Sequence, residues 1–345
     1  MKQAGIAFLW LYRKEALSLT YLFFVGMAFG AIWIFYDGNA KPSAFADISL
    51  AFEEDHENIA VEIIENATAL PPEPPSQAET AKTNSPLSFE ENLPEENEDA
   101  WKANAVNMAG YVDNMPQISI VIDDLGIVKT KTLEIINLKA PLTLSFLPYA
   151  TNLKNVTELA RRRGHELMIH LPMEPKGSKD PGPHAMLTHV PDQQNLAYLD
   201  FNLSRFEGYV GLNNHMGSAF TEDPAGLNLI LDEVKKRGLL VLDSRTSSRS
   251  LMAKMAADKN IPTMTRDVFL DNEQDVDYIL AQLLKLEKIA HRTGQAIAIG
   301  HPYAETIEAL SVWLPTLKER NIAVVPLSHI YKRKYADILL ARGKP

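Results

Sequence analysis

The chain has 345 residues, 46% of them hydrophobic, enough for one large core with length to spare. It contains no cysteine, which excludes disulfides, thiolate metal ligands and a thiol nucleophile. The net charge of −10 is local: 15 acidic residues stand against Lys82 alone between Asp47 and Asp99, so the remainder is slightly basic and offers no nucleic-acid surface.

In chain order, residues 1–15 carry Lys2, Arg13 and Lys14 ahead of an uncharged, mostly apolar run, 16–36. That run matches the roughly 20 residues needed to cross a bilayer as a helix, and its basic flank predicts a cytoplasmic N-terminus. The alternative is a secreted chain cleaved near Ala46, since Ala44-Phe45-Ala46 resembles a small-x-small cleavage site. Either reading puts the rest outside the cytoplasm, in the first case as a single-pass inner-membrane protein facing the periplasm. Residues 37–114 are acidic and rich in proline (Pro71, Pro72, Pro74, Pro75, Pro86, Pro94), the composition of a disordered, self-repelling linker.

From Pro116 the pattern becomes strand–helix alternation. Apolar strands are predicted at 118–122, 142–147, 166–169, 209–212, 239–242, 262–269, 296–299 and 322–325. Helices are predicted at 155–163, 227–237, 275–291 and 305–318, three of them closed by Gly164, Gly238 and Gly294. Repeated βα units imply a parallel α/β sheet, and seven or eight strands in this length favour a barrel spanning 115–330, with a tail at 331–345. No glycine-rich phosphate loop follows the first strand.

Polar side chains recur where these strands end. Asp123 and Asp124 follow the first strand, His170 the third, and Asn213, Asn214 and His215 the fourth. Asp243 and Ser244 follow the fifth, Asp271 and Asn272 the sixth, and His301 the seventh. In a parallel barrel these positions converge on one mouth. Carboxylate and imidazole together there suggest a divalent metal, zinc above all, with Asp124, His170 and His215 as ligands and Glu174 as an alternative third. Asp123 remains as a base and His301 as an acid.

The motifs IDDLG, HLPMEP, GLNNHMGS, LDSRTSS, FLDN and AIAIGHP, in that order over roughly 115–327, resemble the divergent polysaccharide deacetylase family, a distant branch of the metal-dependent carbohydrate esterases. The resemblance implies a distorted (β/α)7 barrel and a hydrolase that removes acetyl groups from an envelope polysaccharide or cell-wall glycan. It makes Asp123 the base, Asp124 and His170 metal ligands, and His301 the general acid. Mainstream members carry a second histidine four residues after the first, where this chain has Glu174. His215 is the favoured replacement, because Pro172 and Pro175 constrain the loop around Glu174. Asn213, Asn214, Asp243, Ser244, Arg266 and Asp271 are expected to bind substrate, and Arg245 and Arg266 are the candidates for oxyanion stabilisation. The rival reading is a non-catalytic envelope protein that binds a glycan or partner at the same mouth.

Overall fold

A computed structural model describes residues 100–108 and 115–341. The predicted anchor at 16–36 and the linker up to residue 99 lie outside the described residues. Among the described residues, no helix is long and apolar enough to cross a membrane.

The sheet is built around β1 (Gln117–Leu125), in which only Asp124 is not fully buried. β8 (Gln295–Gly300) pairs along one flank, while β9 (Ala323–Val324) and then β2 (Thr143–Phe146) share the other. Beyond β2 come β3 (Glu166–Met173), β4 (Tyr209–Met216), β5 (Leu240–Asp243) and β6 (Thr263–Thr265), and beyond β8 comes β7 (Val268–Phe269). All pairings between these strands are parallel. The stretch predicted as one strand over 262–269 breaks at Arg266-Asp267: its first half pairs with β5 and its second with β8. The two edges of the sheet are therefore adjacent pieces of one segment. The result is a curled parallel half-barrel, consistent with the (β/α)7 architecture.

Side-chain parity sorts the core into two layers. Ile118, Ile120 and Ile122 of β1 join the cluster beneath the helices, whereas Val121 joins Met168, Leu240, Leu242, Ile297 and Ile299 inside the curl. Continuing that inner parity toward the C-terminal strand ends leads to Asp123, His170 and His301. On β4, Leu167 and Met168 face Tyr209 and Gly211, leaving Val210 as an extra residue. This bulge shifts the parity of β4, so that Asn213 and His215 turn inward. Gly211 makes it feasible, because a Cβ there would fall 2.0 Å from the Leu240 carbonyl oxygen.

The covering helices start and stop where local chemistry dictates. α5 (Pro224–Lys236) begins three residues before the predicted start, because Asp223 caps the amides of Ala225 and Gly226 and Pro224 suits the first turn. α7 (Val276–Thr293) is capped by Asp275 and ends at Gly294 with φ 84°. α8 (Ala304–Trp313) stops earlier than predicted, giving way to a 3-10 turn over Leu314–Leu317 that contains Pro315. The remaining helices are α2 (Lys129–Ile136), α3 (Leu153–Arg162), α4 (Asp192–Leu203) and α6 (Met252–Asp258).

Two boundaries differ from expectation. Within the stretch assigned to the linker, α1 (Ala100–Ala103) belongs to the folded unit: buried Trp101 donates its backbone N–H to Gly238 at 3.0 Å and joins the inner cluster. The stretch assigned to a tail from residue 331 instead continues α9 (Leu327–Ala341), whose Tyr331 meets the Trp101 ring edge-on at 5.2 Å. An isolated indole among polar residues carries no periodic signal, so sequence pattern alone missed it.

Candidate metal centre and active site

The C-terminal strand ends bring Asp124, His170 and His215 together, with one ligating atom from each within 4.8 Å of the others. Asp124 follows inward-facing Asp123, and a regular strand would turn it outward. Its backbone instead adopts φ 57°, and the side chain returns to the mouth. A left-handed non-glycine residue at this spot is strain held by its surroundings.

Asp124 Oδ1 lies 2.8 Å from His215 Nδ1 and 3.2 Å from His170 Nε2. That oxygen is buried, yet neither approach has hydrogen-bond geometry. The two ring nitrogens are 3.3 Å apart. Three donor atoms crowded in this way suit a shared cation better than mutual hydrogen bonds. Charge balance agrees. Burial disfavours a charged His170, but Asp123 and Asp124 outweigh it and raise its pKa. Burial would likewise raise Asp124, but the two imidazoles hold its carboxyl well below the usual carboxylate range. Two imidazoles and one carboxylate form a set that fits zinc or a similar borderline metal.

Asp123 and His301 flank this triad. Asp123 is buried, and burial raises its pKa against the pull of His170, His301 and Asn213. Its Oδ1 accepts from Asn213 at 2.8 Å, and its Oδ2 lies 3.7 Å from His170 Nε2. His301 Nδ1 is 2.9 Å from Asp271 Oδ1, and its Nε2 is 3.9 Å from Asp124 Oδ2. Burial opposes a charge on His301, but the Asp271 hydrogen bond and the surrounding carboxylates push its pKa up to about 9. Asp271 is itself fixed, accepting at Oδ2 from the His301 backbone N–H at 2.5 Å and from Thr306 at 2.8 Å.

Several residues expected to bind substrate have other work. Asn213 is fully buried in hydrogen bonds within the protein. Asn214 ties the β4 and β5 loops together, accepting from the Ser244 amide at 2.9 Å and donating to the Met216 carbonyl at 2.7 Å. Asp243, on the helix-facing parity, anchors its own loop through the Arg245 amide and Ser250, each at 2.8 Å. Asp271 serves His301, and Ser244 accepts from Asn213 at 3.1 Å. Arg266 is half-buried at the edge of the mouth, where its Nε donates to the Ser244 carbonyl at 2.6 Å and its guanidinium covers the Phe269 ring at 4.9 Å. Arg245 and Asn272 are both exposed. Glu174, the alternative ligand, stays outside the triad: its Oε2 accepts from the Thr188 amide at 2.6 Å and hydroxyl at 2.7 Å.

Sequence reasoning missed Ser145, whose hydroxyl donates to Asn213 at 2.6 Å, and Tyr303, stacked on His301 at 5.4 Å. Ser145 interrupts the apolar β2 strand, a signal that was readable.

A parallel half-barrel with a metal-ready Asp-His-His cluster at its C-terminal mouth defines a class of hydrolase-like folds. Comparison with known proteins narrows it. The sequence model described as "Divergent polysaccharide deacetylase" matches residues 120–331. A crystal structure of ATU2773, an uncharacterised protein from Agrobacterium tumefaciens, is 31% identical with a TM-score of 0.65, covering 67% of this chain and 95% of that one. An uncharacterised Haemophilus influenzae protein is 30% identical over 63% of this chain and 78% of its own length. YibQ, uncharacterised, from Escherichia coli is 26% identical over 64% and 69%. The chain belongs to the divergent polysaccharide deacetylase family.

Proposed function

We propose that this protein is a metal-dependent hydrolase that removes acetyl groups from an envelope polysaccharide or glycan, with zinc held by Asp124, His170 and His215. The carrying observation is the placement of that triad between a buried carboxylate, Asp123, and a proton-bearing imidazole, His301. In this reading the barrel faces the periplasm, tethered by a helix at 16–36 whose N-terminus is cytoplasmic.

The acetyl C–N or C–O bond is broken by addition of water to the acyl carbon. Asp123 accepts the proton from the attacking water. Asn213 occupies its Oδ1, which leaves Oδ2 on the metal-site side, and burial raises its pKa, making the carboxylate a stronger base than an exposed aspartate. His301 holds a proton at neutral pH and delivers it from Nε2 to the departing nitrogen or oxygen, while Asp271 orients the ring through Nδ1. Base and acid are thus separated by environment, as an acyl hydrolysis requires. When bound, the metal supplies the Lewis acidity that such a reaction needs.

The test is acetate release from N- and O-acetylated glycan oligomers by the detergent-solubilised full chain. Release is expected for wild type and abolished in Asp124→Ala at unchanged melting temperature. Equal release by the variant contradicts the mechanism.

A further inference from the structure

Asn213 is the most connected side chain beneath the mouth, and all four of its polar valences are filled. Its Nδ2 donates to Asp123 Oδ1 at 2.8 Å and to Ser244 Oγ at 3.1 Å. Its Oδ1 accepts from Ser145 Oγ at 2.6 Å and from His170 Nδ1 at 2.9 Å. An ionised carboxylate only accepts, so Asp123 fixes the amide with its NH2 group toward itself. The amide oxygen must then face His170. A ring nitrogen facing an oxygen acceptor must carry hydrogen, so Nδ1 of His170 is the protonated position. This leaves the Nε2 lone pair turned toward Asp124 and His215, 3.2 Å and 3.3 Å away.

We propose that Asn213 is a positioning residue, in which one buried amide sets the tautomer of His170 for metal binding and orients the Asp123 carboxylate. This rests on the metal-dependent reading above. Partners that hold the far nitrogen of a ligating histidine contribute strongly to metal affinity. Here that partner is a neutral amide, and its orientation is dictated by the base across the site. The chain therefore links the metal ligand on β3 and the base on β1 through a single residue on β4. The bulge at Val210 is what points that residue inward.

The test is zinc affinity of the full chain in detergent, measured by competition with a chromophoric chelator at one pH, for wild type, Asn213→Ala, Asn213→Leu and Asn213→Asp. Melting temperature is recorded in parallel. Leucine nearly preserves volume and serves if the alanine variant fails to fold. Aspartate keeps an acceptor for His170 Nδ1 while setting a second carboxylate against Asp123. The expected result is an affinity loss of about 10- to 100-fold in the alanine and leucine variants, with aspartate within about threefold of wild type. A purely structural role would lower the melting temperature of all three and leave zinc affinity intact. Zinc bound by Asn213→Leu within about threefold of wild type overturns the inference, as does a loss in Asn213→Asp equal to that in Asn213→Leu. Absence of zinc binding by wild type overturns the metal reading itself, so the two failures are distinguishable.

Discussion

His301 shows how neighbouring carboxylates set a protonation state. Burial opposes a charge on the imidazole, but the 2.9 Å bond to Asp271 and the nearby Asp123 and Asp124 carboxylates raise its pKa from an ordinary 6.5 to about 9. A group raised in the folded state contributes stability fully below its unfolded value, and that contribution fades as pH rises through the folded one. The pair therefore stabilises the fold below about 6.5 and loses that effect through about pH 9. Activity should follow the proton: kcat/KM is expected to fall on the alkaline side as His301 deprotonates. In Asp271→Asn, loss of the negative charge should move that alkaline limb down by about 1–2 pH units. A pH–rate profile checks this, and an unmoved limb would remove His301 from the acid role. At this scale the convergence of Asp123, Asp124, His170, His215 and His301 on one mouth was legible, because each lies at the C-terminal end of an apolar strand. The roles of Asn213, Asn214 and Asp243 were not legible. Short polar side chains at strand ends look alike in sequence, and only parity and partner distances separate those that face the mouth from those that bind the protein.

At the scale of elements, alternation gave most of the strands and the glycine stops, but a partner change inside a strand has no sequence signature. The 262–269 stretch reads as one apolar run, and only the curl of the sheet splits it between β5 and β8. Trp101 was invisible for a related reason, since its burial depends on α9 and on β-strand residues far along the chain. Trp101→Ala is expected to destabilise by about 3–5 kcal/mol, the range for a buried large aromatic, measured by chemical denaturation. A loss below about 1 kcal/mol would mean that α1 is not part of the cooperative core. The turn after β1 is equally constrained. Gly126 has φ 100°, and a Cβ there would sit 2.7 Å from the Ala150 Cβ. Gly126→Ala should cost about 1–2 kcal/mol from backbone handedness alone, with the Ala150 clash adding to it. It should also weaken metal binding, because Asp124 lies two residues upstream.

Over the whole molecule, the proposed topology places an acidic, proline-rich tether between an N-terminal anchor and the folded unit that α1 opens. Alkaline phosphatase, which is active only outside the cytoplasm, would be active when fused after Asn107 if that topology holds, and inactive if it does not. The proposed chemistry rests on the metal triad, so the most direct measurement is metal content. The full chain, purified without chelator or added zinc, would be assayed beside His170→Ala, His215→Ala and Glu174→Ala. The expected result is near-stoichiometric metal in wild type and Glu174→Ala, lost in both histidine variants. Metal lost with Glu174 but retained without His215, or no metal in wild type even after reconstitution with zinc, would contradict the proposed site.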